Sequence, residues 1–285
     1  MILFSFPEQA SLGKTMGLEQ GAWEWRHFPD GESYVRVLSN VKGNAAAILC
    51  SLNQPDAKTL PLIFLARALR EIGAAKVTLI APYLGYMRQD KCFHEGEAVT
   101  SDIFAELLSP YIDALITVDP HLHRHHTLRE IYACECKALS AAPLMTQWIK
   151  KNVPQALIIG PDMESEQWVK EVAADAGAPY IILKKNRRGD REVEITLPDI
   201  GEYRSHTPVL VDDIISTAAT MIKALGLLKM QGFYDIACLA THGIFAGNSY
   251  SDLQKAGASQ IITANTVLHP SNDLQVAQLL EESLT

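Results

Sequence analysis

The sequence lacks the features that mark several classes of protein. Its 285 residues carry 25 basic and 33 acidic side chains, and the net charge of −8 disfavours a general nucleic-acid binder or a protein that binds acidic membranes. No apolar run approaches the ~18 residues of a membrane-spanning helix, and the N-terminal segment has no signal-peptide pattern. We therefore expect a cytoplasmic protein with no nucleic-acid or membrane partner.

Cysteine is scarce and poorly spaced for cross-links. The chain has five cysteines, an odd number, and no two of them are separated by two residues. Neither a disulfide framework nor a zinc ribbon is therefore supported. Cys134 and Cys136 have one residue between them, which is poor spacing for metal ligands, and we interpret them as structural or incidental thiols.

The sequence does contain an alternation of strand and helix patterns. Hydrophobic residues make up 48% and charged residues 20%, which excludes a disordered or fibrous chain. Short runs rich in valine, isoleucine and leucine predict strands at 2–6, 46–50, 77–81, 114–118, 156–160, 179–183, 209–211, 235–240 and 260–263. Helical spacing predicts helices at 58–72, 102–108, 144–151, 164–176, 217–228 and 274–282. Because the strand runs are continuous, we expect an α/β fold with parallel sheets covered on both faces.

The length and the repeated pattern predict two domains, residues 1–145 and 146–285. A domain of ~150 residues is usual. Each half carries several strand–helix units and one strand that runs into an acidic tip, at Asp119 in the first half and Asp212 in the second. The boundary lies near 142–152, the region in which the helical pattern 144–151 ends and after which Pro154 opens the second half.

The segment 209–220 is the most informative for chemistry. A buried strand runs into Asp212 and Asp213, and small and hydroxyl residues then open a helix. A helix start presents unpaired N–H groups and a positive dipole end, which suit a phosphate, and Ser216 adds a hydroxyl donor. The two carboxylates could hold sugar hydroxyls or a metal ion. The other reading is that Asp213 or Ser216 only caps the helix.

Two segments of the first half could bind a nucleotide. Phe28 could stack on a purine while Asp30 and Glu32 accept its exocyclic N–H groups. On the residues alone, however, a Pro-Asp-Gly turn leading into a strand is favoured there. Further on, Arg88 and Gln89 offer planar forks for phosphate or base edges, whereas the alternative for Arg88 is a surface ion pair.

His121 and Asp162 each follow an apolar strand. Open α/β sheets bind ligands at the carboxyl ends of their strands, and one imidazole with one carboxylate and several waters is a plausible Mg²⁺ site. Three more histidines lie at 123, 125 and 126. A zinc or nickel site is disfavoured because separated acidic ligands are missing, and we interpret these histidines as a solvated basic surface.

The stretch 184–191 carries five basic residues against Asp190 alone. It could be a solvated turn, which the sequence by itself slightly favours. The other reading is a mobile clamp that closes on a polyphosphate as charge develops.

Taken in order, these segments resemble those of the ribose-phosphate pyrophosphokinases. Segments 28–36 and 82–91, continued by 96–99, resemble the ATP-binding segments of that family, and 117–121 and 160–162 resemble its two metal-site motifs. Segment 184–195 is similar to the catalytic flexible loop. Segment 209–220 resembles the phosphoribosyl-diphosphate loop, which phosphoribosyltransferases share.

The resemblance implies two similar phosphoribosyltransferase-type domains, each with a mainly parallel sheet flanked by helices, the nucleotide side first. It implies that ATP and ribose 5-phosphate react to 5-phosphoribosyl 1-diphosphate and AMP, with Mg²⁺, in a homo-oligomer, either dimer or hexamer. The implied residues are Phe28, Asp30, Glu32, Arg88, Gln89 and Asp90 for ATP; Asp212, Asp213, Ser216, Thr217, Ala218, Ala219 and Thr220 for ribose 5-phosphate; His121 and Asp162 for the metal; and Lys185 and Arg187 for catalysis.

The chain also departs from the family pattern. Ala218 and Ala219 stand where many members have two glycines, and 163–165 replace glycines that often follow the metal-binding aspartate. Alanine disfavours a positive φ, so we expect the phosphate loop to survive if both alanines are helical. These departures motivate a second hypothesis, a catalytically weak homologue that binds nucleotide or sugar phosphate and regulates a partner. A third, a phosphoribosyltransferase, would leave the segments in 28–99 without a purpose.

Overall fold

The computed structural model describes residues 1–188, 192–198 and 200–284, without the side chains of 184–188 and 192–195. The chain divides into two compact units. Unit 1 comprises Met1–Leu139, Thr266–Leu268 and Val276–Thr285, and unit 2 comprises Ser140–Asn265 and His269–Gln275. The division falls six residues before the boundary expected from the sequence, and the chain returns to unit 1 at its end. The sequence pattern predicts where the helix 144–151 ends, but it does not show that this helix belongs to unit 2.

Unit 1 is built on a parallel six-stranded sheet. Its elements are β1 (Ile2–Ser5), α1 (Ala10–Thr15), β2 (Glu19–Gln20), β3 (Trp23–His27), β4 (Ser33–Val37), β5 (Ala45–Leu49), α2 (Asp56–Glu71), β6 (Lys76–Ala81), α3 (Thr100–Leu108), β7 (Ala114–Val118) and β8 (Glu135–Leu139). The sheet order is β2-β1-β5-β6-β7-β8, and β3 and β4 form a separate antiparallel hairpin that contacts α2. Every residue of β7 is buried, as expected for a strand covered on both faces.

Unit 2 repeats the arrangement. Its elements are α4 (Ala142–Asn152), β9 (Ala156–Gly160), α5 (Glu166–Ala176), β10 (Tyr180–Ile182), β11 (Lys184–Arg188), β12 (Glu192–Thr196), β13 (Thr207–Ile215), α6 (Ala219–Met230), β14 (Ala237–Gly243), α7 (Ser249–Ala256), β15 (Gln260–Ala264) and β16 (Asn272–Leu274). The parallel sheet has the order β10-β9-β13-β14-β15-β16, and β11 pairs with β12 as a hairpin. The last helix, α8 (Ala277–Glu282), belongs to unit 1.

The nine predicted strands all occur, and the α/β class with parallel sheets is confirmed. The helix expected over 274–282 begins only at Ala277, because residues 272–274 pair with β15 as an edge strand. The strands outside these apolar runs are short, polar or partly exposed, namely β2, β3, β4, β8, β11, β12 and β16, and of these only β4 was expected, as the strand after the Pro-Asp-Gly turn.

Candidate functional site

The acidic tip of unit 2 lies where two neighbouring strands end. β9 and β13 pair in parallel, so Asp162 after β9 and the aspartates of β13 lie at the same edge of the sheet. β13 continues to Ile215, four residues beyond the predicted end. Asp212 and Asp213 are therefore strand residues and not the first residues of a loop, because β13 stays paired with β14 as far as Ile215.

These carboxylates act on one another electrostatically. Asp213 is 5% exposed, and its backbone N–H donates to Asp212 Oδ1 at 3.0 Å. Burial and the negative charges of Asp213 and Asp162 raise the pKa of Asp212 well above its ordinary value. The cluster therefore concentrates negative charge that a cation or hydroxyl donors would stabilise.

Asp162 also has a structural role in the backbone after β9. Its side chain accepts a hydrogen bond from the Glu164 N–H at 2.9 Å, and the Ser165 hydroxyl donates to the Asp162 carbonyl at 2.7 Å. One carboxylate oxygen thus caps the short 3₁₀ turn Met163–Ser165. The glycines expected in this segment from the resemblance are replaced by residues that form this capped turn.

The phosphate loop has a backbone that the sequence did not predict. The expected helix start at Thr217 is wrong, because α6 begins at Ala219. Ala218 is the residue before the helix and has φ 58° and ψ 6°, in the left-handed region. Our condition that both alanines be helical is met by Ala219 alone. The first helical bond runs from the Ile222 N–H to the Ala218 carbonyl, so the N–H groups of 219–221 have no intrahelical acceptor.

The segment after β14 holds this loop in place. The carbonyl of Ile215 accepts from the N–H groups of Ile244 and Phe245, both at 3.0 Å. The carbonyl of Ser216 accepts from the Ala246 N–H at 3.0 Å and from the buried Ser249 hydroxyl at 2.8 Å. The carbonyls of 215 and 216 are thereby fixed on the side of residues 244–249. No local sequence pattern predicts this contact, because it joins segments 33 residues apart.

The basic segment forms one strand of a hairpin. β11 pairs with β12, so that Lys185 lies opposite Ile195 and Arg187 opposite Val193. Both interpretations of this segment, a solvated turn and a mobile clamp, predicted a loop. Backbone pairing instead makes residues 184–188 a strand. The side chains of Lys185 and Arg187 lie outside the described part of the chain, and their catalytic role stays a prediction.

In unit 1, the predicted stacking residue lies at the tip of a hairpin. Residues 28–32 connect β3 to β4, and the Phe28 N–H donates to the Glu32 carbonyl at 2.8 Å. Phe28 is 41% exposed, and the Arg26 guanidinium lies 4.8 Å from its ring centre. Asp30 Oδ1 accepts from the Glu32 N–H at 3.3 Å. The turn-then-strand interpretation is therefore correct, and it leaves the aromatic ring accessible to a base.

The polar side chains of the segment after β6 differ in their exposure to solvent. Arg88 is exposed and Gln89 is half-buried. The Asp90 side chain is 6% exposed and pairs with Arg124, with 3.3 Å between Oδ1 and Nε. Asp90 thus orients a second arginine, while Arg88 presents its guanidinium to solvent.

His121 follows β7, the strand next to β6, and therefore lies at the same edge of the sheet as Arg88. Its ring is half-buried and meets His123 edge-to-face, with 3.9 Å between ring centres. His125 lies 3.5 Å from carboxylate oxygens of both Asp102 and Glu130. The expected solvated surface is wrong for His125, because its side chain is only 18% exposed beside these two acids.

A buried lysine supports this edge of unit 1. Lys58 is 4% exposed, and its ammonium group donates to Glu8 Oε2 at 2.5 Å, to the Ser51 carbonyl at 2.9 Å and to Asn53 Oδ1 at 2.9 Å. The segment that follows β5 is thereby fixed against the start of α2. The helical pattern predicted only that Lys58 belongs to a helix.

The strand, loop and helix of unit 2 place the chain in the class of phosphoribosyltransferase-type proteins. A family model described as the phosphoribosyl transferase domain matches residues 130–277, and one described as the N-terminal domain of ribose phosphate pyrophosphokinase matches residues 5–111. The chain belongs to the ribose-phosphate pyrophosphokinase family.

Similar proteins cover nearly the whole chain. The ribose-phosphate pyrophosphokinase of Methanopyrus kandleri is 33% identical over 290 aligned residues, which cover 100% of this chain and 98% of the relative. That of Sulfolobus acidocaldarius is 32% identical and covers 90% and 89%. The crystal structure of phosphoribosylpyrophosphate synthetase from Mycobacterium smegmatis matches with a TM-score of 0.87 and 26% identity, and covers 99% of this chain and 97% of that one. In the part of the chain that is described, no helix is both long and apolar enough to cross a membrane.

Proposed function

We infer that this chain transfers the diphosphoryl group of ATP to the anomeric oxygen of ribose 5-phosphate and releases AMP. The observation that carries this function lies in unit 2. Asp212 and Asp213 lie near the end of β13, which ends at Ile215, and the N-terminus of α6 follows at Ala219. The membership of the chain in the pyrophosphokinase family selects this reaction over transfer to a base.

Ribose 5-phosphate would bind to unit 2. The N–H groups of 219–221 and the hydroxyls of Ser216, Thr217 and Thr220 would donate to the 5-phosphate at the positive end of α6. Asp212 and Asp213 would accept hydrogen bonds from the ribose hydroxyls. Because burial and the adjacent negative charges penalise the ionised form of Asp212, donors from the sugar would stabilise it.

The donor set of unit 2 fits Mg²⁺ by its chemistry. Asp162, Asp212 and Asp213 lie close enough together for their charges to raise the pKa of Asp212, and Mg²⁺ prefers such oxygen ligands and retains water. We propose Asp162 as a ligand in unit 2 and, separately, His121 after β7 as a ligand in unit 1. The ion would supply neutralisation of charge on the polyphosphate.

ATP would bind to unit 1. The exposed ring of Phe28 would stack on the base, with Glu32 and Asp30 beside it in the hairpin tip. Arg88 and Gln89 would donate to phosphate or base edges, and Asp90 would hold Arg124 in place.

Lys185 and Arg187 would stabilise the group in transfer. The anomeric oxygen attacks the β-phosphorus in line with the departing AMP, and the reaction depends mainly on positioning and on charge neutralisation. Cationic donors placed where negative charge develops contribute most when the site is closed from water.

The hairpin tip also supports a homo-oligomer. Phe28 lies on an exposed ribbon, with Tyr34 against it edge-to-face at 5.9 Å. We propose that residues 28–32 reach the nucleotide site of a neighbouring copy. Mixing Phe28→Ala with Lys185→Ala would then restore part of the activity, whereas mixtures without recovery would contradict this assembly.

One assay tests the function. Purified protein is incubated with Mg²⁺, ATP and ribose 5-phosphate, and the nucleotides are separated by chromatography. We expect AMP to form only when ribose 5-phosphate is present, together with a new diphosphate signal in the phosphorus spectrum. Lys185→Ala should slow AMP formation at least ~10²-fold, whereas Lys151→Ala, which changes an exposed lysine at the end of α4, should leave it unchanged. ATP binding without AMP formation would support the regulatory homologue, and diphosphate release with a nucleobase would support a transferase.

A further inference from the structure

Two thiols at the edge of unit 1 form a cluster that the proposed reaction does not use. Cys134 lies in a bend just before β8, and Cys136 lies in β8, opposite Leu115 of β7. Their sulfur atoms are 3.9 Å apart and share a hydrogen bond. Both residues are half-buried and pack against the core of unit 1.

The surroundings of the pair make its two members unequal. The hydrogen bond from Cys134 and the Arg129 guanidinium lower the pKa of Cys136, although burial opposes them. The same hydrogen bond and burial raise the pKa of Cys134. The pair is therefore asymmetric, with the pKa of Cys136 lowered and that of Cys134 raised, and the thiol with the lower pKa is the better nucleophile.

A buried hydroxyl accompanies the thiols. Tyr132 is 2% exposed, and its hydroxyl has no hydrogen-bond partner among the described residues. The group lies near enough to both cysteines for their charges to raise its pKa, after burial, which is the larger cause. An unpartnered buried donor beside a thiolate can stabilise an oxygen that becomes attached to the sulfur.

We propose that Cys134 and Cys136 are a peroxide-reactive dithiol, in which Cys136 is oxidised first and Cys134 closes a disulfide. The Cys136 thiolate attacks one oxygen of hydrogen peroxide; the S–O bond forms, the O–O bond breaks, and the leaving hydroxide takes up a proton to become water. The Cys134 sulfur then attacks the sulfenic sulfur; the S–S bond forms, the S–O bond breaks, and the departing hydroxide leaves as water with the Cys134 proton. Two thiols are thus oxidised by two electrons while one peroxide is reduced to two waters.

Closure of the disulfide starts from sulfur atoms that are 3.9 Å apart. A disulfide requires the sulfur atoms to approach to ~2.05 Å. In the described sheet β8 is the edge strand, and its pairing with β7 begins at Glu135, one residue after Cys134.

The other cysteines provide internal controls. Cys50 and Cys238 are buried, and burial raises the pKa of each thiol to about 12. Cys92 is exposed, and no second cysteine lies near it in sequence. Reaction governed by exposure alone would select Cys92, whereas the proposed pair selects residues 134 and 136.

The test uses the intact chain and hydrogen peroxide. After brief oxidation the protein is alkylated and digested with trypsin, which releases residues 130–137 as one peptide that contains both cysteines. We expect that peptide to lose two hydrogen atoms and both alkylation sites, with recovery after dithiothreitol, at a rate at least ~10-fold above the modification of Cys92. In Cys134→Ser, Cys136 should instead proceed to a sulfinic acid that dithiothreitol does not reverse. A peptide 130–137 that stays fully alkylated while Cys92 is oxidised would overturn the proposal, as would equal behaviour of the wild type and Cys134→Ser.

Discussion

Replacing Ala218 by glycine tests the backbone of the phosphate loop. A left-handed φ costs an L-residue ~1–2 kcal/mol and costs glycine nothing, so the substitution relieves that strain. Two losses oppose the gain: ~0.4–1 kcal/mol of extra entropy in the unfolded chain, and ~0.8 kcal/mol for one buried methyl group, since Ala218 is 5% exposed in the core of unit 2. We expect the free energy of unfolding to stay within ~0.5 kcal/mol of the wild type.

Ala219→Gly is the matched control. Ala219 is exposed, has no core contact to lose and is the first residue of α6. Glycine there costs ~1 kcal/mol of helix stability, or ~2–4 °C in Tm. Both variants are compared in urea titrations of the ligand-free protein. A loss of ~1.5 kcal/mol in Ala218→Gly, the sum of the two opposing losses, would show that residue 218 does not hold a positive φ and would refute the reasoning.

Four further predictions concern the two units. Lys185→Ala should lower kcat at least ~10²-fold with little change in nucleotide affinity, measured by steady-state kinetics and equilibrium binding. Asp212→Asn should abolish activity yet raise the Tm of the ligand-free protein by ~2–4 °C per kcal/mol of repulsion relieved. Because the raised pKa means that the folded state binds the proton more tightly, this Tm advantage should shrink as the pH falls and Asp212 becomes protonated; a constant difference would contradict it. Ser249→Ala should raise the KM for ribose 5-phosphate more than it lowers kcat, since it removes ~1 kcal/mol of support for the Ser216 carbonyl. Lys58→Met should lower the free energy of unfolding by ~1–3 kcal/mol in denaturant titrations, because it leaves the carbonyl and amide oxygens around it unpaired, and an unchanged midpoint would contradict the buried contacts.

The sequence predicted the parts of the fold that depend on local pattern. Strands buried on both faces are continuous apolar runs, so all nine runs were found. In the hairpin of β3 and β4, the turn and the strand after it were predicted, but β3 was missed because Trp23 and Trp25 are only half-buried and pack on Phe6, a residue from another segment. A strand that depends on a distant partner has no strong local signal.

The candidate site, like the fold, was predicted only where it depends on local sequence. The carboxylates at the end of β13 and the helix after them were predicted, because acidic and small residues follow an apolar run. The backbone conformation of Ala218 could not be predicted, since the residue type disfavours what the structure shows. The Ser249 hydroxyl gave no signal either, because its role exists only once β13 and β14 are paired.

The left-handed backbone of Ala218 and the contact of the Ser249 hydroxyl, neither of which was predicted, have a common explanation. An alanine holds a left-handed conformation only where the surroundings impose it, and the surroundings here are the four hydrogen bonds that residues 244–249 donate to the carbonyls of Ile215 and Ser216. If this support imposes the strain, removing part of it should matter less once the strain is gone. Ser249→Ala should therefore cost less stability in the Ala218→Gly background than in the wild type, with a coupling of ~0.5 kcal/mol or more in a double-mutant cycle. Strict additivity of the two substitutions would mean that the loop adopts its conformation independently of the segment after β14.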